Sequence, residues 1–255
     1  MQKVLITAGA SGLGKAMAAG FDAAGASVWV VDIDQQALGS CPDHWHKTQL
    51  DVTNEAAVAA LFEVLKREWV SLDVLCSNAG IAGPTAKLED VPLGEWQRCV
   101  SVNLEGAFLF SKYAAPLMKQ QKSGCMLFTS STAGIYGFPN RAPYAAAKWG
   151  IIGFMKTVAM ELGPFNIRAN TICPGCVEGD RIEGVMEREA VVKGTTRDSI
   201  FEAYAGGTSM RCFVSAEDVA NMAVFLASAG ARRVSGQVIS VDGHTENPDP
   251  KVGDF

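Results

Sequence analysis

Lys3-Val4-Leu5-Ile6-Thr7-Ala8-Gly9-Ala10-Ser11-Gly12-Leu13-Gly14 is the stretch on which the reading of the fold turns. A short apolar run gives way at once to glycines and small residues, and a helical pattern follows from Gly12 to Ala24. Small residues in a strand-to-helix turn let a pyrophosphate approach backbone N–H groups at the helix N-terminus, where unpaired amides and aligned peptide dipoles favour an anion. The spacing departs from the G-x-G-x-x-G fingerprint, so a merely structural glycine-rich turn is the competing reading.

Working outward, strand-like runs alternate with helical ones. After Val4–Thr7 come Ser27–Asp32, then a loop, His46–Leu50, the helical Asn54–Glu68, and Leu72–Cys76. Later there is a helical stretch from Gly94 to Lys119, a strand at Met126–Thr129, a helix over Pro143–Leu162 and a strand at Ile167–Ile172. A helix at Ala216–Ala227 and a strand at Val238–Val241 complete the order. Runs such as Val28-Trp29-Val30-Val31 are apolar throughout, as expected for strands covered by helices on both faces. The expectation is an α/β chain with one doubly wound, Rossmann-type domain over residues 1–255. Its mostly parallel sheet has seven strands, and ligands bind at the strand C-termini. The charged segment Asp180–Arg211 reads as a helical excursion or lid over the substrate.

Composition narrows the function. The chain has 255 residues, 48% of them hydrophobic, and 27 acidic against 22 basic side chains give a net charge of −5. A net negative chain without basic blocks argues against nucleic acid. No apolar run is long enough for a membrane span, and seven scattered cysteines do not resemble a disulfide framework, so a cytoplasmic protein with reduced thiols is expected.

Asp32 ends the second strand 18 residues after Gly14, near the offset at which a carboxylate accepts hydrogen bonds from an adenosine ribose. A 2′-phosphate there would meet a like charge, costing about 4 kcal/mol at ~4 Å and an effective dielectric of ~20. Neighbouring Ile33 and Asp34 supply no cation to offset this, so NAD(H) is expected over NADP(H). A helix-capping role for the acid is the alternative. Tyr144 and Lys148 fall four residues apart, on one helical face. A free phenol titrates near pH 10, and bringing one to neutrality takes about 4 kcal/mol, roughly what an ammonium ~4 Å away supplies. Tyr144 then becomes a usable acid/base.

With these motifs in order, the sequence resembles the short-chain dehydrogenase/reductase family over essentially its whole length. Thr7 to Gly14, including Gly9, Ser11, Gly12 and Leu13, is similar to the family's cofactor loop. Asp51-Val52 resembles its adenine-contacting acid and neighbour, Ser77-Asn78-Ala79-Gly80 its N-N-A-G turn, and Pro174-Gly175, with Val177 beyond, the turn beside the nicotinamide. The resemblance implies Asn103, Ser131, Tyr144 and Lys148 as catalytic residues. Tyr144 would exchange the proton, Ser131 polarise the substrate oxygen, Lys148 lower the Tyr144 pKa and bind nicotinamide ribose, and Asn103 hold a relay water. It also implies an NAD-dependent alcohol dehydrogenase or ketoreductase and a homotetramer. A catalytically idle dinucleotide-binding regulator is the alternative, since fold alone does not decide function.

The sequence departs from the family pattern at Ala8, Ser77, Gly179 and His244. Loops Ile81–Thr85, Ile135–Arg141 and Val177–Ile182 are expected to border the pocket. Arg141 and Arg181 within them suggest an anionic or polyhydroxylated substrate such as a sugar acid, unless both only solvate loops or pair with the acidic excursion. Cys173 and Cys176 have redox-motif spacing at a position that suits a Pro-Gly turn better. Cys41, Asp43, His44 and His46 match no zinc signature, and Phe154, Met155 and Met160 read as helix packing; no metal site is expected.

Overall fold

Strand β1, Lys3–Thr7, is an interior strand of the sheet in the computed structural model, which describes residues 1–247. The remaining strands are β2 (Ser27–Asp32), β3 (His46–Gln49), β4 (Val74–Ser77), β5 (Gly124–Thr129), β6 (Ile167–Pro174) and β7 (Val238–Val241). All seven run parallel in the order β3-β2-β1-β4-β5-β6-β7. Chain order reverses between β1 and β4, so the loops after these two strands diverge and open a crevice at the carboxyl edge.

Helices cover both faces. On one side pack α1 (Gly12–Ala23) and α9 (Ala216–Ala227), against a core that includes Val4, Ile6, Phe21, Val30 and Leu226. On the other lie α3 (Glu55–Glu68), α5 (Gly106–Gln121) and α6 (Ala142–Leu162), around Leu5, Phe62, Phe110, Phe128 and Met155. Side chains alternate across β1, with Val4 and Ile6 in one core and Leu5 in the other, which is why its sequence is apolar without a break. The region after Asp180 folds into α7 (Asp180–Lys193) and α8 (Arg197–Gly206), with Met186, Ala190 and Ile200 as a small core of their own.

Three local differences from the sequence reading have clear causes. The segment after β2 contains α2 (Gln35–Gly39), made possible by Asp34, whose carboxylate accepts from the N–H groups of Gln36 and Ala37. The helical stretch expected from Gly94 to Lys119 is interrupted: α4 (Leu93–Val100) passes through a π-helical turn at Ser101–Glu105 before α5 begins. The Asn103 amide donates to the Cys99 carbonyl at 2.8 Å, competing for the acceptor that a regular α-helix would give the Asn103 backbone N–H. Strand β4 starts at Val74 rather than Leu72 because the Gln121 side chain takes both backbone groups of Leu72.

Candidate active site

At the β1–α1 turn the helix begins without a side-chain cap. Ser11 is extended and makes no capping bond, whereas α2, α3 and α9 are capped by Asp34, Asn54 and Ser215. The first-turn N–H groups of α1 are thus unclaimed by a cap and open toward the crevice. Gly12 adopts φ +47 with open space around it, and a Cβ on Gly14 would overlap the Ala8 carbonyl oxygen. Ala8, standing where the family has glycine, takes the same left-handed region at φ 50. Gly9 packs against Val30, where no Cβ would fit.

Asp32, at the end of β2, is buried and accepts from the backbone N–H groups of Ala10 and Asp34, both at 3.1 Å, which leaves carboxylate lone pairs for a further donor. Ile33 beside it is exposed. Asp51 turns its carboxylate onto the N–H and hydroxyl of Thr53, and Val52 is buried beneath Gly106, so neither lines the main cleft. Gly9, Asp32, Ile33, Ala79 and Asn103 also lie outside the lining; Ser11, Gly12, Leu13, Gly14, Asn78, Gly80, Pro174, Gly175 and Val177 belong to it. An uncapped helix N-terminus, a glycine cradle and an acid at the end of β2 together fit a dinucleotide.

Asn78 ties the sheet edge together. Its amide donates to the carbonyls of Thr7 and Ala8, and its oxygen accepts from Thr129 at 3.1 Å. Thr7 in turn accepts from the N–H groups of Asn78 and Ala79. Ser77, in place of the family's first asparagine, is buried with its hydroxyl unpartnered among the described residues.

The cleft has a volume of about 530 Å³, and Ser131, Tyr144 and Lys148 line it together with Arg141, Arg181, Phe138 and Tyr204. Lys148 Nζ lies 5.5 Å from the Tyr144 ring centroid and donates to the Thr129 carbonyl at 2.9 Å, while Ser130 anchors the Lys148 backbone at 2.8 Å. Burial pushes the Tyr144 phenol up, but Lys148, Arg181, Arg141 and the neighbouring Ser131 hydroxyl outweigh it, so the phenol sits below its ordinary value. Burial lowers the Lys148 ammonium, against the attraction of Tyr144. Asn103 is buried, and its side-chain oxygen has no hydrogen-bond partner among the described residues. A Cβ on Gly80 would meet both that oxygen, at 2.5 Å, and Lys148 Nζ, at 3.3 Å, so the two groups converge on the turn after β4.

Of the loops expected at the pocket, Val177–Ile182 lines it throughout and Ile135–Arg141 contributes Phe138 and Arg141. Ile81–Thr85 stays behind the lining, where the Ala82 carbonyl accepts from Arg141 at 3.1 Å. Gly179, where many family members have threonine, has φ +129 and precedes α7 without a cap. His244 also adopts a positive φ, 63, and bonds Ser209 at 2.5 Å, and Tyr136 donates to the Thr245 carbonyl; the C-terminal segment thus braces the pocket loops from outside. Tyr204 was illegible in the sequence, since only the packing of α8 on α7 carries it to the cleft.

Cys173 and Cys176 are free thiols, and burial pushes Cys176 up to about 12, far from a reactive thiolate. His44 pairs with Asp22 and His46 stacks on Trp29 at 4.7 Å, and among the described residues no three such ligands gather around one point. Phe154 packs on Phe128, Met155 is fully buried, and Met160 is exposed.

A family model described as enoyl-(acyl carrier protein) reductase matches residues 7–244. The chain belongs to the short-chain dehydrogenase/reductase family. Among relatives of this family, it is 35% identical over 258 residues to (+)-borneol dehydrogenase 1 of Salvia officinalis, covering 94% of this chain and 91% of that one. It is 33% identical over 252 residues to trans-4-hydroxycyclohexanecarboxylate dehydrogenase of Sinomonas cyclohexanicum, covering 94% and 90%. The crystal structure of NAD+-bound xylitol dehydrogenase superposes with a TM-score of 0.91 at 27% identity, covering 94% of this chain and 97% of that one. As a short-chain dehydrogenase/reductase, the protein is an oxidoreductase, and among its described residues no helix is long and apolar enough to cross a membrane.

Proposed function

We propose that this protein is an NAD(H)-dependent alcohol dehydrogenase or ketoreductase that interconverts a secondary alcohol and its ketone, with Tyr144 as general acid/base. The observation that carries this reading is a phenol in the cleft wall held below its ordinary value despite burial, by cations from three separate positions. In the oxidising direction, the Tyr144 phenolate accepts the substrate hydroxyl proton and Ser131 donates to the oxygen as negative charge develops on it. The bound nicotinamide supplies a hydride acceptor or donor. Lys148 stabilises the phenolate and offers hydrogen bonds to ribose, and the free Asn103 oxygen accepts from a water through which the proton leaves.

Gly12, Gly14 and the uncapped start of α1 would hold the pyrophosphate, Asp32 the adenosine ribose, and Ile33, Asp51 and Val52 the adenine side. Ala79, Gly80, Pro174, Gly175 and Val177 would flank the nicotinamide. The buried carboxylate of Asp32 opposes a 2′-phosphate, which supports NAD(H) over NADP(H). Residues 1–255 act as one domain, with α7 and α8 as a lid, in a cytoplasmic homotetramer. An idle regulator would have no use for an acidified phenol beside Ser131. The relatives' names cover borneol, a hydroxycyclohexanecarboxylate and xylitol, so they do not single out a substrate.

The test follows NADH absorbance across a panel of secondary alcohols and ketones. Tyr144→Phe is expected to lose about 10²–10⁴ of kcat while binding NADH as the parent does by fluorescence, and NADP(H) is expected to support slower turnover. Near-normal turnover of the variant removes Tyr144 from the chemistry; equal or faster rates with NADP(H) remove the cofactor assignment.

A further inference from the structure

Arg141 is a buried cation whose help in acidifying Tyr144 does not account for its own unpartnered nitrogen. The residue is only 8% exposed, yet it lines the cleft, and its guanidinium carbon lies 4.8 Å from the Tyr144 ring centroid. One nitrogen donates to the Ala82 carbonyl, while Nε is buried with no hydrogen-bond partner among the described residues. No carboxylate among them comes within ion-pair distance of the guanidinium. The buried carboxylate behind the cleft-lining Tyr204, Glu189, is taken by Lys193 at 2.8 Å and by the Tyr204 hydroxyl at 2.6 Å. A guanidinium does not deprotonate in proteins, so it cannot escape burial by turning neutral as a lysine can. Buried charges are normally paired, and a site that keeps one unpaired beside open volume is prepared for a counter-charge from outside the chain.

We propose that Arg141 binds a carboxylate of the substrate, making this a dehydrogenase of short hydroxy or oxo acids; the proposal rests on the alcohol dehydrogenase reading above. A planar guanidinium matches a carboxylate's two oxygens, and that pairing strengthens where water is excluded. Arg141 and Tyr144 are three residues apart at the start of α6, and the guanidinium lies over the phenol ring, so one small molecule reaches both. The carboxylate therefore lies only a few bonds from the carbon that exchanges hydride. Arg181, exposed at the start of α7 and donating to the Gly80 carbonyl at 3.3 Å, adds positive charge at the mouth of the same cleft. A neutral substrate would close the cleft over an unsatisfied donor and a bare charge, and sites built around a buried polar group reject analogues that leave it unpaired.

Two measurements on the full-length protein test this. In the first, the NADH-loaded protein is titrated with propionate and with propionamide of the same shape, read by calorimetry. The parent is expected to bind propionate at least tenfold more tightly, Arg141→Gln to bind both alike, and Arg141→Lys to keep part of the preference. In the second, kcat/KM is compared for 3-hydroxybutyrate and 4-hydroxypentanoate against their methyl esters. The acid-to-ester ratio, taken within each protein so that general losses cancel, is expected above tenfold in the parent and near unity in Arg141→Gln. Should Arg141→Gln fail to fold, the preference of Arg141→Lys set against that of the parent carries the assignment, and an unchanged preference in Arg141→Lys together with its loss in Arg181→Gln overturns it. Equal binding of acid and amide, with esters turned over as well as acids, overturns the carboxylate site and leaves the dehydrogenase standing. Selective propionate binding without turnover of any alcohol sustains the site and overturns the dehydrogenase instead.

Discussion

Tyr144 and Lys148 show how opposing effects set the chemistry of single side chains. Burial disfavours both charges, raising the phenol and lowering the ammonium, while their mutual attraction favours both. For the phenol the cations win, and for the ammonium burial wins, so both give up a proton more readily than they would in water. Since the phenolate is the base for alcohol oxidation, kcat/KM in that direction should rise with pH to a midpoint below 10, the ordinary tyrosine value. Removing Lys148 takes away the largest lowering charge. Lys148→Met is therefore expected to move the midpoint upward and to reduce the rate at pH 7 by about tenfold for each unit moved. A pH–rate profile checks this; an unmoved midpoint would mean that the arginines alone acidify the phenol. The i,i+4 spacing announces this pair in the sequence, but the contribution of Arg181 does not, because it reaches the site from α7 across the crevice.

Among the elements, the β1–α1 turn holds the clearest local conflict. Ala8 adopts φ 50, a conformation that a side chain disfavours, in a turn drawn tight enough for a Cβ on Gly14 to strike the Ala8 carbonyl oxygen. Ala8→Gly should relieve that strain and stabilise the protein by about 1 kcal/mol, measured by urea unfolding; an unchanged or lower midpoint would show that the left-handed backbone carries no net penalty. The π-helical turn at Ser101–Glu105 is a second such feature. It places Asn103 with its oxygen free and facing the turn at Gly80, an outcome that helical periodicity could not anticipate because the extra residue per turn depends on a side-chain bond to Cys99. Helix α2 is not legible in the sequence for a related reason: five residues are too few to show a period, and its capping acid, Asp34, stands out there only as a neighbour of Asp32 that carries no positive charge.

For the molecule as a whole, seven parallel strands bring to one sheet edge loops that lie far apart along the chain. The outer surfaces of α5 and α6 keep large apolar groups in solvent, with Phe108, Trp149 and Met160 at 46%, 51% and 80% exposure. Such groups are better covered than wet, and in the proposed homotetramer they would lie between subunits. Sedimentation is expected to give a species several times 27.0 kDa, and Phe108→Glu to yield smaller species; a monomeric parent would refute the assembly. The succession of strands and helices, the glycine-rich β1–α1 turn, the place of Asp32 at the end of β2 and the one-turn spacing of Tyr144 and Lys148 were legible along the chain, because each rests on short-range periodicity or a fixed spacing, while Ser131 was named through the family resemblance. Burial of Arg141 without a carboxylate, the part of Arg181 in acidifying Tyr144, arrival of Tyr204 at the cleft, and the free oxygen of Asn103 were not. These depend on which distant segments meet and on how water is excluded where they do, and no local pattern of residues encodes either.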